Sequence, residues 1–228
     1  MSFEATEKVG GIVLAAGPSS RMGTNKLLLD IDGETVVRGA VRRAVAAGLD
    51  PVIVVLGHEA ERIESELEGV GAGCRTVVNA DYARGINSSL KTGIANLPAT
   101  VDAVVVMLAD MPFVSADMIA SLVERYHARG RPPLVISDYD GVNAPPMLYD
   151  RALFPELQTM EGEGCGKIVV KRHRSEAEVL HWPAGKLADL DVPSDYDAAV
   201  ASRAGGLSPR RRRNLRCNGR RNACETTP

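Results

Sequence analysis

Residues 9–26 read VGGIVLAAGPSSRMGTNK, and the interpretation of the whole chain starts from them. The short apolar run Ile12 to Ala16, bounded by glycines, is typical of a buried central strand in an α/β sheet. The small residues after it let backbone N–H groups approach a ligand closely, and Arg21 and Lys26 add positive charge. The stretch therefore predicts a strand and an anion-binding loop at the centre of an active site. The alternative is a glycine-rich turn that carries basic residues by chance.

Two better-known phosphate-binding loops do not fit this stretch. The P-loop needs a glycine, four further residues and then Gly-Lys, whereas Gly17 and Gly23 enclose five residues and Thr24 follows them. The dinucleotide fingerprint Gly-x-Gly-x-x-Gly has no match here. The loop therefore belongs to a different class of nucleotide or phosphate site.

Outward from the loop, apolar runs alternate with amphipathic segments. This β-α-β-α-β order implies right-handed crossovers, and it predicts an α/β fold with a mostly parallel sheet and helices on both faces. The predicted strands after the first are residues 51–56, 75–78, 102–108, 133–137 and 178–182, and the main predicted helices are residues 35–47, 59–68, 115–128 and 194–203.

Length and composition are those of an ordinary globular protein. With 228 residues, 45% hydrophobic and 25% charged, the chain is long enough for one sizeable α/β domain, and two full domains would be cramped. No apolar run reaches the roughly 20 residues that span a bilayer. Residues 1–8 lack the apolar core of a signal peptide, so the expected location is cytoplasmic, with no membrane partner.

The charge is unevenly distributed along the chain. Residues 203–228 hold eight Arg and one Glu, a net charge of +7, whereas the remaining 19 Lys and Arg face 28 Asp and Glu, a net charge of −9. An acidic body disfavours nucleic acid as a partner. We expect a domain over residues 1–203 and a basic, disordered tail over residues 204–228.

A second polar segment, residues 82–94, reads YARGINSSLKTGI. A glycine turn leads into a helix whose first residues are Asn and Ser, which are natural N-cap types. Their side chains and the free N–H groups of the first turn can bind a base edge or a phosphate. A capped helix without a ligand explains the segment equally well.

Asp110 follows the strongly apolar run 102–108, in the sequence Ala-Asp-Met-Pro. Ligands of an open parallel sheet lie beyond the carboxyl ends of its strands, so Asp110 is expected in the same crevice as the first loop. An isolated carboxylate there suits Mg²⁺, which takes one or two carboxylates together with phosphate oxygens and water. The alternative is that Asp110 caps the following turn.

The first loop resembles the signature of sugar-nucleotide and molybdenum-cofactor nucleotidyltransferases. The resemblance rests on Leu14-Ala15-Ala16-Gly17 with Ser19, Arg21, Met22, Gly23 and Lys26 at set spacing. The Gly85-x-x-Ser88-Ser89 segment is similar to that of cytidylyltransferases, and Ala109–Pro112 resembles the metal-binding motif of the family. Residues 189–196, DLDVPSDY, are similar to its ending. The resemblance covers roughly residues 9–200.

This resemblance implies a three-layer, Rossmann-like nucleotidyltransferase fold and a reaction. CMP would pass from CTP to a phosphorylated acceptor, most closely molybdopterin or the molybdenum cofactor, with release of pyrophosphate and with a molybdoenzyme as the partner that receives the product. It implies that Arg21 and Lys26 hold the triphosphate and that Asp110 and Asp191 hold Mg²⁺. The nucleotide would be contacted by Leu14, Ala15, Ala16, Gly17, Lys26, Asn79, Gly85, Ser88 and Ser89.

The sequence departs from the family pattern on the acceptor side. Gly162 stands where related transferases often carry Asp, and Asn143 to Pro146 only approximates the proline-containing family element. These departures weaken the carry-over of acceptor recognition from the family to this chain.

Two other functions compete with nucleotidyl transfer. The sequence also resembles nicotine blue oxidoreductases, NAD(P)H-dependent reductases that carry FMN and share the first loop. Nothing in the residues explains hydride transfer, and the carboxylates would have no role in it. The third hypothesis is a nucleotide-binding regulatory subunit without turnover.

Overall fold

The computed structural model describes residues 7–19, 23–161, 165–190 and 193–205. Within these ranges the chain forms ten strands and seven α-helices. They are β1 (Val9–Ala15), β2 (Asp30–Ile31), β3 (Glu34–Thr35), α1 (Val36–Ala46), β4 (Val52–Leu56), α2 (Ala60–Glu66), β5 (Cys74–Val78), α3 (Ile86–Ala95), β6 (Ala103–Leu108), α4 (Ala116–Ala128), β7 (Leu134–Tyr139), β8 (Val142–Asn143), β9 (Met147–Asp150), α5 (Phe154–Thr159), α6 (Cys165–Arg172), β10 (Glu178–Trp182) and α7 (Pro193–Gly205).

The main sheet has the strand order β10-β7-β9-β6-β1-β4-β5, with β8 paired to β7. β1 lies between β6 and β4 and is parallel to both, with Val9 opposite Ala103 and Gly11 opposite Val52. β9 runs antiparallel between β6 and β7. The predicted α/β class with a mostly parallel sheet is therefore confirmed, with an antiparallel insertion.

Both faces of the sheet are covered by helices, because successive side chains of β1 are buried in two different hydrophobic clusters. Val13 belongs to the buried cluster that includes residues of α1 and α4, whereas its neighbour Ile12 belongs to the cluster of α3, α5 and α6. Successive residues of a strand point to opposite faces, so two adjacent fully buried side chains define two cores. This is the three-layer arrangement that the resemblance implies.

Helix α3 lies unusually close to β1. A Cβ atom added at Gly93 would stand 2.8 Å from Cγ2 of Ile12, nearer than non-bonded carbons approach. The glycine thus lets the helix pack directly on the central strand. The packing brings the first turn of α3 beside the loop that follows β1.

The predicted strands and helices agree with the structure to within a few residues, but β9 was not predicted. Two hydrogen bonds hold the turn before β9: Ser137 Oγ donates to the Pro146 carbonyl (2.6 Å) and Tyr139 Oη to the Pro145 carbonyl (3.0 Å). The chain then returns as a strand at Met147. No helix among the described residues is long and apolar enough to cross a membrane. The basic tail beyond residue 205 lies outside the described residues.

Candidate nucleotide-binding site

A cavity of about 300 Å³ opens at the carboxyl ends of β1 and β6. Three parts of the chain supply its walls: the loop after β1, the end of β6 with the residues that follow it, and the segment that leads into α3. The described residues that line it are Leu14, Ala15, Ala16, Gly17, Pro18, Ser19, Lys26, Leu27, Tyr82, Gly85, Ile86, Ser89, Leu108 and Asp110.

The loop after β1 holds Lys26 by a short chain of hydrogen bonds. Ser19, in a left-handed conformation at φ 50°, accepts a hydrogen bond from the Lys26 backbone N–H at 3.2 Å. The buried Asn25 caps the single 3₁₀ turn Lys26–Leu28, because its Oδ1 accepts from the Leu27 N–H at 3.1 Å. Two side chains of the loop thus fix the backbone from which Lys26 extends into the cavity.

Lys26 and Asp110 meet inside this cavity. Their Nζ and Oδ2 atoms are 2.5 Å apart, and the two side chains are only 15% and 17% exposed. Asp110 is positioned by β6, and the preceding residue, Ala109, donates its N–H to the Leu14 carbonyl at 3.1 Å. The cation and the carboxylate predicted from distant sequence segments are therefore direct neighbours.

The polar residues near α3 have two different roles. Asn79, which follows β5 and is 4% exposed, donates through Nδ2 to Ser88 Oγ (2.8 Å) and Ser89 Oγ (3.0 Å). Its Oδ1 accepts the Asp81 N–H at 3.0 Å. Ser88 Oγ also hydrogen-bonds the Gly85 carbonyl at 2.8 Å. Asn79 therefore orients both serines, and Ser89 is the one that reaches the cavity.

The structure brings together most of the predicted site residues. Asn79 and Ser88 lie behind the cavity wall, outside the set that lines it. Arg21, Asp191 and Gly162 lie outside the described residues. The predicted residues that line the cavity are Leu14, Ala15, Ala16, Gly17, Lys26, Gly85, Ser89 and Asp110.

The chain just before Asp191 is tied to Asp110. The Leu190 N–H donates to the Asp110 carbonyl at 3.1 Å, and the Leu190 side chain is 1% exposed. This contact joins the C-terminal motif to the end of β6.

The metal-ligating side chains at this site suit an ion that needs few ligands from the protein. Among the described residues, no group of three or more His, Cys, Asp or Glu side chains is placed to hold a metal. Asp110 presents one carboxylate to a cavity that is also lined by Lys26 and the loop after β1. Such a site suits Mg²⁺ and similar hard cations, which complete their coordination with phosphate oxygens and water.

Sequence reasoning missed Tyr82 and Ile86 as parts of the site. Both line the cavity, and Ile86 is 50% exposed although it is a large apolar residue. Tyr82 lies in segment 82–94, whose Asn and Ser residues predict a polar binding site. The sequence signal for Ile86 was its position: it is an apolar residue at the start of a helix whose next residues are polar.

Asp138 is a buried acid near the end of β7, two strands away from β6 in the sheet. It accepts the Gly141 N–H at 2.9 Å, and this hydrogen bond lowers the pKa of the Asp138 carboxyl. Nδ1 of His181, on the adjacent strand β10, lies 3.3 Å from its Oδ1. Asp138 follows Leu134 and Ile136 with the two-residue period of a strand, so it points to the α3 face of the sheet.

The chain matches a protein-family model and several known proteins. The model of the MobA-like NTP transferase domain matches residues 11–177. The purine catabolism protein PucB of Bacillus subtilis is 31% identical over 200 residues, which are 82% of this chain and 93% of PucB. The bifunctional protein GlmU of a Ruegeria species is 32% identical over 73% of this chain, and the match spans only 35% of GlmU.

Solved structures show the same fold. Rv0371c of Mycobacterium tuberculosis superposes with a TM-score of 0.75 at 25% identity, covering 86% of this chain and all of Rv0371c. A structure of Rv0371c in complex with manganese gives a TM-score of 0.69 at 24% identity, over 86% of this chain and 98% of that one. The molybdopterin-guanine dinucleotide biosynthesis protein A of Archaeoglobus fulgidus gives 0.63 at 18% identity, over 86% and 99% of the two chains.

Proposed function

Since the chain belongs to the family of MobA-like NTP transferase domains, we propose that it moves CMP from CTP to a phosphorylated acceptor, molybdopterin or the molybdenum cofactor. The chain is a nucleotidyltransferase enzyme of the Rossmann-like α/β fold. To this general activity the proposal adds three parts: cytosine as the base of the donor, the acceptor, and a molybdoenzyme that receives the product.

The observation that carries the proposal is the Lys26–Asp110 pair in a cavity bounded by the loop after β1. A cation and a carboxylate side by side are what a metal-bound triphosphate needs, because one binds phosphate oxygens and the other binds the metal. Ala15 to Gly17 also line the cavity, and their small side chains allow phosphate oxygens to approach the backbone N–H groups closely.

In the proposed reaction, a phosphate oxygen of the acceptor attacks the α-phosphorus of CTP. One P–O bond forms to the acceptor, the bond between the α-phosphorus and the bridging oxygen to the β-phosphate breaks, and that oxygen leaves with pyrophosphate. Negative charge grows on the departing group, and Lys26 is placed to neutralise it. Positioning and electrostatics supply the catalysis, so no side-chain nucleophile is required.

Asp110 is the described residue that would hold the metal, and the sequence pattern adds Asp191. A divalent ion bound there would neutralise phosphate charge and polarise the α-phosphoryl group. Family resemblance favours Mg²⁺. The manganese complex of Rv0371c is consistent with a divalent ion in this fold.

The Ser89 hydroxyl can donate a hydrogen bond to an acceptor atom on the edge of a nucleobase. Its Oγ accepts from Asn79, which leaves the Ser89 hydroxyl proton free to be donated. Cytosine presents N3 and O2 as acceptors in the positions that pair with other bases. Every base has acceptor atoms on its edge, so this polarity does not select among them. CTP is the donor that the cytidylyltransferase-like Ser88-Ser89 segment favours.

The acceptor is proposed to lie beside Asp138 and the turn at Pro145 and Pro146. Asp138 and this turn lie at the carboxyl end of β7, at the same edge of the sheet as the ends of β1 and β6. The name of the structurally similar Archaeoglobus protein refers to molybdopterin-guanine dinucleotide, and this supports a pterin acceptor.

The test is a panel of the four nucleoside triphosphates with Mg²⁺ and molybdopterin, scored by pyrophosphate release. We expect release with CTP to exceed release with each other triphosphate. Release with GTP alone would reject CTP as the donor, and no release with any triphosphate would reject the reaction. An absorbance spectrum of the same preparation tests the alternative, since an FMN-containing oxidoreductase is yellow.

A further inference from the structure

The nucleotide cavity has two chemically different ends. Lys26, Asp110 and the Gly17–Ser19 loop form the charged end, where the proposed function places the triphosphate. The other end is formed by the segment that leads into α3, with Tyr82, Gly85 and Ile86 in its wall and Ser89 as its polar group. This second end has the composition of a site for a flat, mostly apolar ring with a hydrogen-bonding edge.

Tyr82 is held in this wall by close packing around its Cβ and Cγ atoms. A Cβ atom added at Gly57 would stand 2.7 Å from both Cβ and Cγ of Tyr82 and 2.8 Å from Cβ of Ala16. Those atoms belong to the start of each side chain and cannot swing aside, so only glycine fits between them. Gly57 therefore lets Tyr82 pack against the loop that follows β1.

Two further contacts fix the tyrosine. The Tyr82 N–H donates to the carbonyl of Asn79 at 3.3 Å, at the start of a single 3₁₀ turn over Tyr82–Arg84. The His58 ring lies 6.3 Å from the Tyr82 ring, centroid to centroid, with the planes tilted by 52°. His58 is itself tied to the loop, since its N–H donates to the Ala16 carbonyl at 3.2 Å.

Ile86 completes the wall from the first turn of α3. It is 50% exposed, while Leu90, one turn further along, is 5% exposed in the core. The exposed side chain is not needed to hold α3 on the sheet. It lines the cavity next to Tyr82, where apolar surface is useful to a ligand rather than to the fold.

We propose that Tyr82, held by Gly57 and Ala16 and continued by Ile86, is the surface on which the nucleobase packs. This inference rests on the proposed function and adds a binding residue to it. An aromatic ring packs on the face of any base, so Tyr82 contributes affinity for the base while Ser89 reads its edge. The triphosphate is held elsewhere and gains nothing from Tyr82.

The test compares a ligand that has a base with one that has none. Binding of CTP and of inorganic tripolyphosphate is measured by calorimetry with Mg²⁺, for the wild-type chain, Tyr82→Phe and Tyr82→Ala. We expect Tyr82→Ala to weaken CTP roughly ten-fold, the factor that loss of one base–aromatic contact gives, and to leave tripolyphosphate unchanged. Tyr82→Phe keeps the ring and should bind both ligands as the wild type does.

Gly57→Ala is the second variant, with Gly185→Ala as its matched control. Nothing lies within 4 Å of a Cβ added at Gly185, so that change should be silent. Gly57→Ala should displace Tyr82 and weaken CTP several-fold more than tripolyphosphate. Circular dichroism establishes that each variant is folded before binding is measured.

The outcomes separate the inference from the function beneath it. Equal weakening of CTP and tripolyphosphate in Tyr82→Ala would mean that Tyr82 only supports the loop, and it would overturn the inference. Unchanged CTP binding in that variant would overturn it as well. A wild-type chain that binds tripolyphosphate but neither CTP nor any other nucleoside triphosphate would instead reject the proposed function.

Discussion

Lys26 and Asp110 form an ion pair with each other, although the proposed reaction gives them different partners. Their 2.5 Å contact must open when the triphosphate takes Lys26 and the metal takes Asp110. A triphosphate without metal must therefore compete with Asp110 for the lysine, and it also meets the carboxylate's negative charge. The pair should make metal and nucleotide binding mutually dependent.

This competition predicts a gain of affinity from the loss of a carboxylate. Asp110→Asn should bind CTP in EDTA about three- to ten-fold more tightly than the wild type, because a partly exposed ion pair of about 1 kcal/mol no longer opposes binding. The Asp110→Asn variant should also lose the increase in affinity that Mg²⁺ gives the wild type. Calorimetric titrations with and without Mg²⁺ measure both effects.

The control for this experiment is Asp117→Asn, on the exposed side of α4, which should behave as the wild type. Lys26→Met should weaken CTP with and without Mg²⁺. Weaker metal-free binding by Asp110→Asn would show that Asp110 supports the lysine instead of competing with it.

At the residue scale, the sequence predicted the charged end of the site better than the apolar end. Lys26 and Asp110 were predicted to share a crevice because each belongs to a spaced motif that ends a buried strand. Tyr82 carries no such pattern. Its role depends on Gly57, 25 positions earlier, whose missing side chain can be interpreted only once the two residues are seen in contact.

Among the elements, α3 connects the core to the cavity. Its glycine packs on Ile12 of β1, and its first turn carries Ser89 and follows Gly85. The position of the base end of the site therefore depends on how closely this helix approaches the central strand.

Gly93→Ala tests how far the site depends on the close packing of α3. The direction of the change in the free energy of unfolding shows whether helix propensity or the clash with Ile12 is larger. Helix propensity alone would stabilise the variant by up to about 1 kcal/mol. The clash with Ile12 should outweigh that gain, so we expect a net loss of about 1–2 kcal/mol in the free energy of unfolding and weaker CTP binding. Urea denaturation and calorimetry measure the two effects.

Gly39→Ala in α1 is the matched comparison. The atoms nearest to its added Cβ would be the ends of the Arg43 and Glu34 side chains, at 3.1 Å, and the ends of flexible side chains can move. We expect unchanged or slightly greater stability there. A Gly93→Ala variant as stable as Gly39→Ala would contradict the close packing of α3 on β1.

The elements that the sequence predicted are those with a long local pattern. The apolar runs of β1, β4 and β6 and the periodic helices were identified from neighbouring residues alone. β9 has only four residues and follows two prolines. Its pairing partners lie more than 40 positions away in β6 and 13 to 15 positions away in β7. Its antiparallel insertion is a tertiary property that no local pattern encodes.

For the whole molecule, the sheet explains why the site stands where it does. Six strands of the main sheet run in one direction, so the ends of β1, β6 and β7 meet at one edge. The nucleotide cavity lies at β1 and β6, and the proposed acceptor surface lies two strands away at β7. A donor and an acceptor held along one edge can react without any large movement of the chain.

Transfer of labelled phosphorus tests this account most directly. CTP labelled at the α-phosphorus is incubated with Mg²⁺, molybdopterin and either the wild-type chain or Asp110→Asn. We expect the label to move to molybdopterin with the wild type, matched by one pyrophosphate per transfer, and at least a hundred-fold more slowly with Asp110→Asn, as for loss of one electrostatic contact to the transition state. Equal transfer by both chains, or pyrophosphate release without label on the acceptor, would contradict it.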